Sequence, residues 1–253
     1  MADELVKQEH GALMAPSAQP DLRGTEHIGK EDMKMPRLCL VQPTTKQLVD
    51  GIEGFKVGHI FNDLTGDVYG PGPIEVVIVR ADPQRYMEFY PLNDGGGVKD
   101  YNVPHGDPRT LFTKDAAGRS VPPVATAFYD YVVLVLPSLE PIAISFKGTG
   151  LKAAKQLNGL IVMRRKPIFA GKYSLTTAMS QNAKGKFAVW VVRNAGEASA
   201  TDLPIAEQAY EAFRGKALEI TREHAEDELA GEVPGALGPD GAEDPDDFDT
   251  SKM

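Results

Sequence analysis

Cysteine is almost missing: Cys39 is the only one in 253 residues. A single thiol excludes an internal disulfide and any zinc site built on cysteines, and it suits a reducing compartment. Long apolar runs are missing too. The longest purely aliphatic one, Val132 to Leu136, is far short of the roughly 20 residues that span a bilayer. The charged start MADELVKQEH leads into no apolar core, so no secretory signal is expected, and the reading is a soluble cytoplasmic protein. Histidine is sparse and scattered (His10, His27, His59, His105, His224), with no GxSxG elbow and no HExxH pair. Those absences leave no catalytic constellation, and neither a metal nor a cofactor is expected.

One absence is local. From Lys147 to Arg193 no Asp or Glu occurs, while ten lysines and arginines do: Lys147, Lys152, Lys155, Arg164, Arg165, Lys166, Lys172, Lys184, Lys186 and Arg193. Phe169, Tyr173, Phe187 and the only tryptophan, Trp190, lie among them. In a chain of net charge −9 such a segment points to a surface that meets a polyanion. Cations spaced between rings suit an unpaired nucleic-acid strand, whose phosphates the cations track and whose bases the rings stack against. The plainer reading is a solvated basic face. A nuclease would want metal-binding carboxylates beside phosphate, and this stretch has none.

The average charge hides two unlike parts. Residues 1–196 hold 23 basic and 20 acidic residues, a net +3; residues 197–253 hold 4 and 16, a net −12. Between Glu223 and Asp249 there are eleven acids and no Lys or Arg. A tethered polyanion of this kind competes for a basic groove at high effective concentration.

Along the chain, residues 1–34 lack periodicity and read as a flexible N-terminal arm. Leu38 to Val41 reads as a short first strand, Thr44 to Val49 as one helical turn, and Phe55 to Phe61 as a strand. Ile74 to Val79 and Tyr86 to Tyr90 follow as strands, with Tyr86, Glu88 and Tyr90 on one face. Those rings either extend a stacking surface or are half-buried strand residues. Asn93 to Val124 is a long insertion, functional or mobile. Its Asp94, Asp100, His105 and Asp107 match no metal-ligand spacing, so a solvated loop is the expectation. Phe128 to Leu136 and Leu139 to Phe146 form a hairpin, and Leu151 to Arg165 has helical spacing ended by Pro167. Lys172 to Ser180 and Lys186 to Arg193 form a closing hairpin about Asn182–Gly185.

The fold class expected is therefore mainly β with one or two helices. Its form is an OB-like five-stranded barrel with extra strands and a long inserted loop, flanked by disordered ends. Its first three strands would be Phe55–Phe61 or Ile74–Val79 and then the 128–146 hairpin, with the helix before the fourth. Residues 35–196 form this domain, 197–229 an acidic amphipathic helix and 230–253 a disordered acidic tail. Lys147-Gly148-Thr149-Gly150 opens the helix as a tight turn or a single phosphate contact. It lacks the third glycine of a dinucleotide fingerprint and the GK[ST] ending of a triphosphate loop.

Tyr129–Leu136, the Phe146–Thr149 turn, the helix Leu151–Arg165, the hairpin Tyr173–Val192 and the acidic terminus together resemble single-stranded DNA-binding proteins of tailed bacteriophages. The resemblance covers roughly residues 36–195 and the style of the tail. It implies an oligonucleotide-binding barrel that coats DNA during replication or recombination, without catalysis, and whose tail recruits partner proteins. From the residues themselves, Lys147, Lys152, Lys155, Arg164, Arg165, Lys172, Lys184, Lys186 and Arg193 are the expected backbone contacts. Tyr173, Phe187 and Trp190 are the expected stacking rings, though which face of the 186–193 strand stacks stays open. The partners expected are single-stranded DNA and replication or recombination proteins, with no membrane and with homo-oligomerisation open. The alternatives are a nucleotide- or DNA-processing enzyme using Gly148–Gly150, and a phage structural or adaptor protein.

Overall fold

The computed structural model describes residues 34–91, 96–182 and 185–214, with Gly24 and His27. The chain divides into two units between Lys34 and Met35, and all the described secondary structure belongs to the second.

Among the described residues twelve strands and three α-helices succeed one another. First come β1 (Arg37–Leu40), α1 (Lys46–Val49), β2 (Ile60–Asn62), β3 (Val68–Gly70), β4 (Ile74–Ala81), β5 (Arg85–Phe89) and β6 (Val98–Asp100). The short pair β7 (Thr113–Lys114) and β8 (Ser120–Val121) precedes the long β9 (Thr126–Val135) and β10 (Glu140–Lys147). After α2 (Leu151–Met163) come β11 (Gly171–Asn182), β12 (Gly185–Glu197) and α3 (Asp202–Phe213).

The main sheet runs β12-β11-β4-β9-β10-β1-β2-β3 and curls into a half-barrel. Its five long strands are β4, β9, β10, β11 and β12, with α2 between the third and the fourth. The first of them is Ile74–Ala81, which decides between the two candidates read from the sequence. Phe55–Phe61 is a strand only at its end. Gly54 and Gly58 take left-handed φ of 92° and 88°, a conformation that turns the chain and that glycine adopts without a Cβ penalty.

Burial explains why β4 and β9 read as continuous apolar runs rather than alternating ones. Ile74, Val76 and Ile78 face the barrel interior with Tyr131, Val133 and Val135, while Val77 and Val79 face outward with Val132 and Leu134. Both faces are covered, so both parities must be apolar. Inside, α2 lays Ala153, Ala154 and Leu157 on the sheet. Outside, α3 covers the second face with Ala206, Ala209, Tyr210 and Phe213, and Tyr210 packs 5.3 Å from Phe169. Each fully buried Val, Ile or Leu among these contributes about 1.5–3 kcal/mol by leaving water.

Helix α2 ends at Met163, two residues earlier than its spacing suggests, because Arg165 turns into left-handed φ of 53° ahead of Pro167. The helix expected over 197–229 runs from Asp202 to Phe213 within the described residues, after the end of β12 at Glu197; residues 215–229, the 230–253 tail and the arm before Lys34 lie outside them, apart from Gly24 and His27.

The insertion is better organised than its sequence suggests, although residues 92–95, and with them Asp94, lie outside the described set. Strand β6 pairs with β5, and Pro108–Thr110 forms a single 3-10 turn. Arg109 ties it down, its guanidinium meeting Glu88 (2.7 Å), Asp100 (3.1 Å) and Asp107 (2.8 Å). Two of the aspartates weighed as metal ligands, Asp100 and Asp107, are thus held by an arginine.

Candidate nucleic-acid interface

The acid-free segment supplies α2, β11 and most of β12, so its cations sit on that helix and hairpin, in the turn between them and, for Lys147, at the end of β10. On α2, Lys152 and Lys155 are exposed on the flank away from the core, and Arg165 is exposed just past the helix end. On β12, Lys186 and Arg193 are exposed. None of these five pairs with an acid among the described residues.

Four of the other five basic residues are engaged. Arg164 donates to the Gly196 carbonyl and to Asn194 Oδ1, both at 2.7 Å, and its guanidinium lies 5.4 Å over the Tyr173 ring. Lys172 reaches Glu75 at 2.8 Å, and Lys166 is paired with Glu197, whose carboxyl it lowers by hydrogen bond and charge. Lys147, half-buried at the end of β10, holds its ammonium 5.8 Å over the Phe128 ring. Lys184 lies outside the described residues.

The rings separate by strand parity. Ala188 and Val192 are buried, and Trp190 between them is half-buried, edge-on to Phe146 at 5.9 Å. That parity faces the core. Phe187, Val189, Val191 and Arg193 face outward, opposite Ser180, Ala178, Thr176 and Ser174 of β11. The open choice between the two faces resolves to Phe187 as the outward ring and Trp190 as a cap on the core. Tyr173 is fully buried, so the stacking role expected for it does not hold: a base reaches it only if the core opens.

The Gly148–Gly150 stretch is a 3-10 turn leading straight into α2, without a side-chain cap. A Cβ on Gly150 would stand 3.6 Å from Phe146 and 3.7 Å from Trp190, so the glycine seats the turn against the core.

Sequence reasoning missed two positions that organise the interface. Gln42 joins β12 to the opposite rim, donating from Nε2 to the Ala188 carbonyl (2.9 Å) and accepting from the Ala188 amide (3.0 Å). Arg109 fixes the insertion. Gln42 carried no signal; Arg109 lay within ten residues of Asp100 and Asp107, a local charge pattern that was legible.

Among the described residues no three His, Cys, Asp or Glu side chains gather as a metal site. No helix among them is long and apolar enough to cross a membrane. No curated protein and no solved structure matches the chain. Residues 7–219 match the family described as Pam3 phage gp34-like protein, and the chain belongs to that family of phage proteins.

Proposed function

We propose that the chain binds single-stranded DNA without sequence preference during phage DNA replication or recombination, and catalyses no reaction on it. Its acidic C-terminal residues compete for the same surface and recruit partner proteins. The observation that carries this reading is the set of five exposed cations without acidic partners among the described residues, Lys152, Lys155, Arg165, Lys186 and Arg193. They stand on the helix and closing hairpin of an OB-like strand order. Phe187 gives the hairpin an outward ring for stacking, worth roughly 1–3 kcal/mol per base. Each neutralised phosphate releases counterions, so affinity falls steeply with salt.

The test is fluorescence anisotropy of labelled oligo-dT and of a duplex of equal length at two salt concentrations. Preference for the single strand, lost at high salt, is expected. Equal binding to both, or none, overturns the reading. Deleting residues 223–253 tightens binding if the tail competes; looser binding counts against competition.

A second reading, a phage structural or adaptor protein, draws on the exposed apolar side chains of the insertion: Leu111, Phe112, Val121 and Val124. Apolar groups gathered on one loop suit a protein partner. Recovery of the chain in assembled particles, with no DNA binding, would favour it.

A further inference from the structure

On the concave face of the sheet, beyond the start of α2, a row of tyrosines emerges from the core. Tyr131 is its buried end: its hydroxyl donates to Asn158 Oδ1 on α2 at 2.7 Å and lies 3.5 Å from the Ala154 carbonyl. Tyr129 is two residues earlier on β9, hence on the same face, and stands opposite Phe146. It is half-buried against the interior cluster. Tyr86 of β5 pairs with Ala127, two residues earlier again, so Tyr86 and Tyr129 are diagonal neighbours at roughly 7–8 Å, within reach of aromatic side chains. Tyr86 is half-buried, with His105 edge-on to it at 5.1 Å and 84°. His105 is itself fixed by donating from Nε2 to the Gln84 carbonyl at 2.5 Å. Burial, and then the neighbouring Tyr129 hydroxyl, raise the Tyr86 phenol above its ordinary value.

The setting favours an anionic strand. Lys147, one residue past Phe146, pairs with Phe128 and takes the other face of the sheet; α2 begins four residues further on, so Lys152 and Lys155 follow closely on the end of the strand that faces the row. Lys155 adjoins Ala154 and lies three residues from Asn158, on the flank of α2 next to the Tyr131 contact. Glu88, on the row's own parity, is held by both Lys99 and Arg109, and Asp100, opposite it on β6, meets Arg109 as well, so these cations offset both carboxylates.

We infer that Tyr86 and Tyr129 form a base-stacking platform for the unpaired strand, steadied by His105, with Lys152 and Lys155 meeting its phosphates. The inference rests on the single-stranded DNA reading above and moves its principal stacking site from the closing hairpin to the concave face.

The experiment uses the full chain, with anisotropy of labelled oligo-dT against wild type, Tyr86→Leu, Tyr129→Leu, Tyr86→Phe and Tyr129→Phe. The leucine variants should bind at least about fivefold more weakly, the loss of one stacked base, while the phenylalanine variants, which keep the ring, stay near wild type. Wild-type binding with unchanged leucine variants overturns the platform and leaves the DNA reading standing; so does equal loss in leucine and phenylalanine variants. Absence of wild-type binding overturns the DNA reading itself. Should a leucine variant fail to fold, photo-crosslinking of wild type to oligo-dT carrying 5-iodouracil decides. Adducts on the peptides of Tyr86 or Tyr129 support the platform, and adducts confined to the Phe187 peptide overturn it.

Discussion

Gln42 and Ala188 are 146 residues apart, yet the amide side chain of one satisfies both backbone groups of the other. Strand β12 is the edge of the sheet, and β1 lies on its far side, so nothing in the strand ladder joins them. The Gln42 amide presents a carbonyl and an N–H in the geometry of a peptide group and closes that seam as one residue of an added strand would. Close by, Thr177 Oγ1 donates to the Gly58 carbonyl at 2.7 Å and reinforces the closure. An edge strand with its groups satisfied in this way is a poor template for another chain.

Gln42→Ala therefore leaves a donor and an acceptor of Ala188 without partners, and should cost about 1–3 kcal/mol. Gln42→Glu keeps the acceptor and loses the donor, and should fall between Ala and wild type. Urea denaturation measures both. Amide exchange at Ala188 should accelerate in the Ala variant, and an unchanged rate there would refute the seam.

Arg109 makes the insertion acid-sensitive. Its hydrogen bonds hold the Asp107 carboxyl down to about 2 from 3.8. Lys99 first and Arg109 second lower Glu88, while the Asn102 amide and then Arg109 lower Asp100. A folded-state pKa below the unfolded one contributes stability that is complete above the ordinary carboxylate value and is lost as pH falls toward about 2. Arg109→Ala should accordingly destabilise the chain most at neutral pH, with the gap to wild type shrinking through the acid range. Denaturation midpoints across that range measure the gap, and a constant difference would show that the carboxylates do not depend on Arg109.

The long strands were legible because β4 and β9 are buried on both faces, and a run such as Val76–Val79 has no other economical home. The helix before the fourth long strand was legible from its apolar spacing and from Pro167. Phe55–Phe61 misled because aromatic and β-branched residues there pack as a loop: Phe55 lies edge-on to Phe61 at 5.2 Å between turns that Gly54 and Gly58 permit. In the site, charge was legible and engagement was not. No local signal says that Lys172 will meet Glu75, 97 residues away, or that Tyr173 will point inward while Phe187 points out.

Tyr173 offers a separate test of that inward placement. Its hydroxyl is buried without a hydrogen-bond partner among the described residues. Removing an unsatisfied buried hydroxyl recovers a desolvation cost of about 1–3 kcal/mol, so Tyr173→Phe should be neutral to stabilising. Its affinity for oligo-dT should equal that of wild type. Thermal unfolding checks the first expectation and anisotropy the second; because phenylalanine keeps the ring, a large loss of affinity at unchanged stability would assign the hydroxyl itself a contact with the strand.

Lys186 and Lys172 separate a phosphate contact from an occupied cation. Both lie on the closing hairpin, but Lys172 already pairs with Glu75, whereas Lys186 is exposed and has no acid beside it among the described residues. Removing a cation that neutralises a phosphate lowers the slope of log affinity against log salt by about 0.7 for a single strand. Lys186→Ala should show that reduction and weaken binding equally across sequences, while Lys172→Ala should keep the wild-type slope. Anisotropy titrations at four salt concentrations give the slopes. If the two variants lose the same slope, partner occupancy does not decide which cations touch the strand, and the five exposed cations lose their claim over the paired ones.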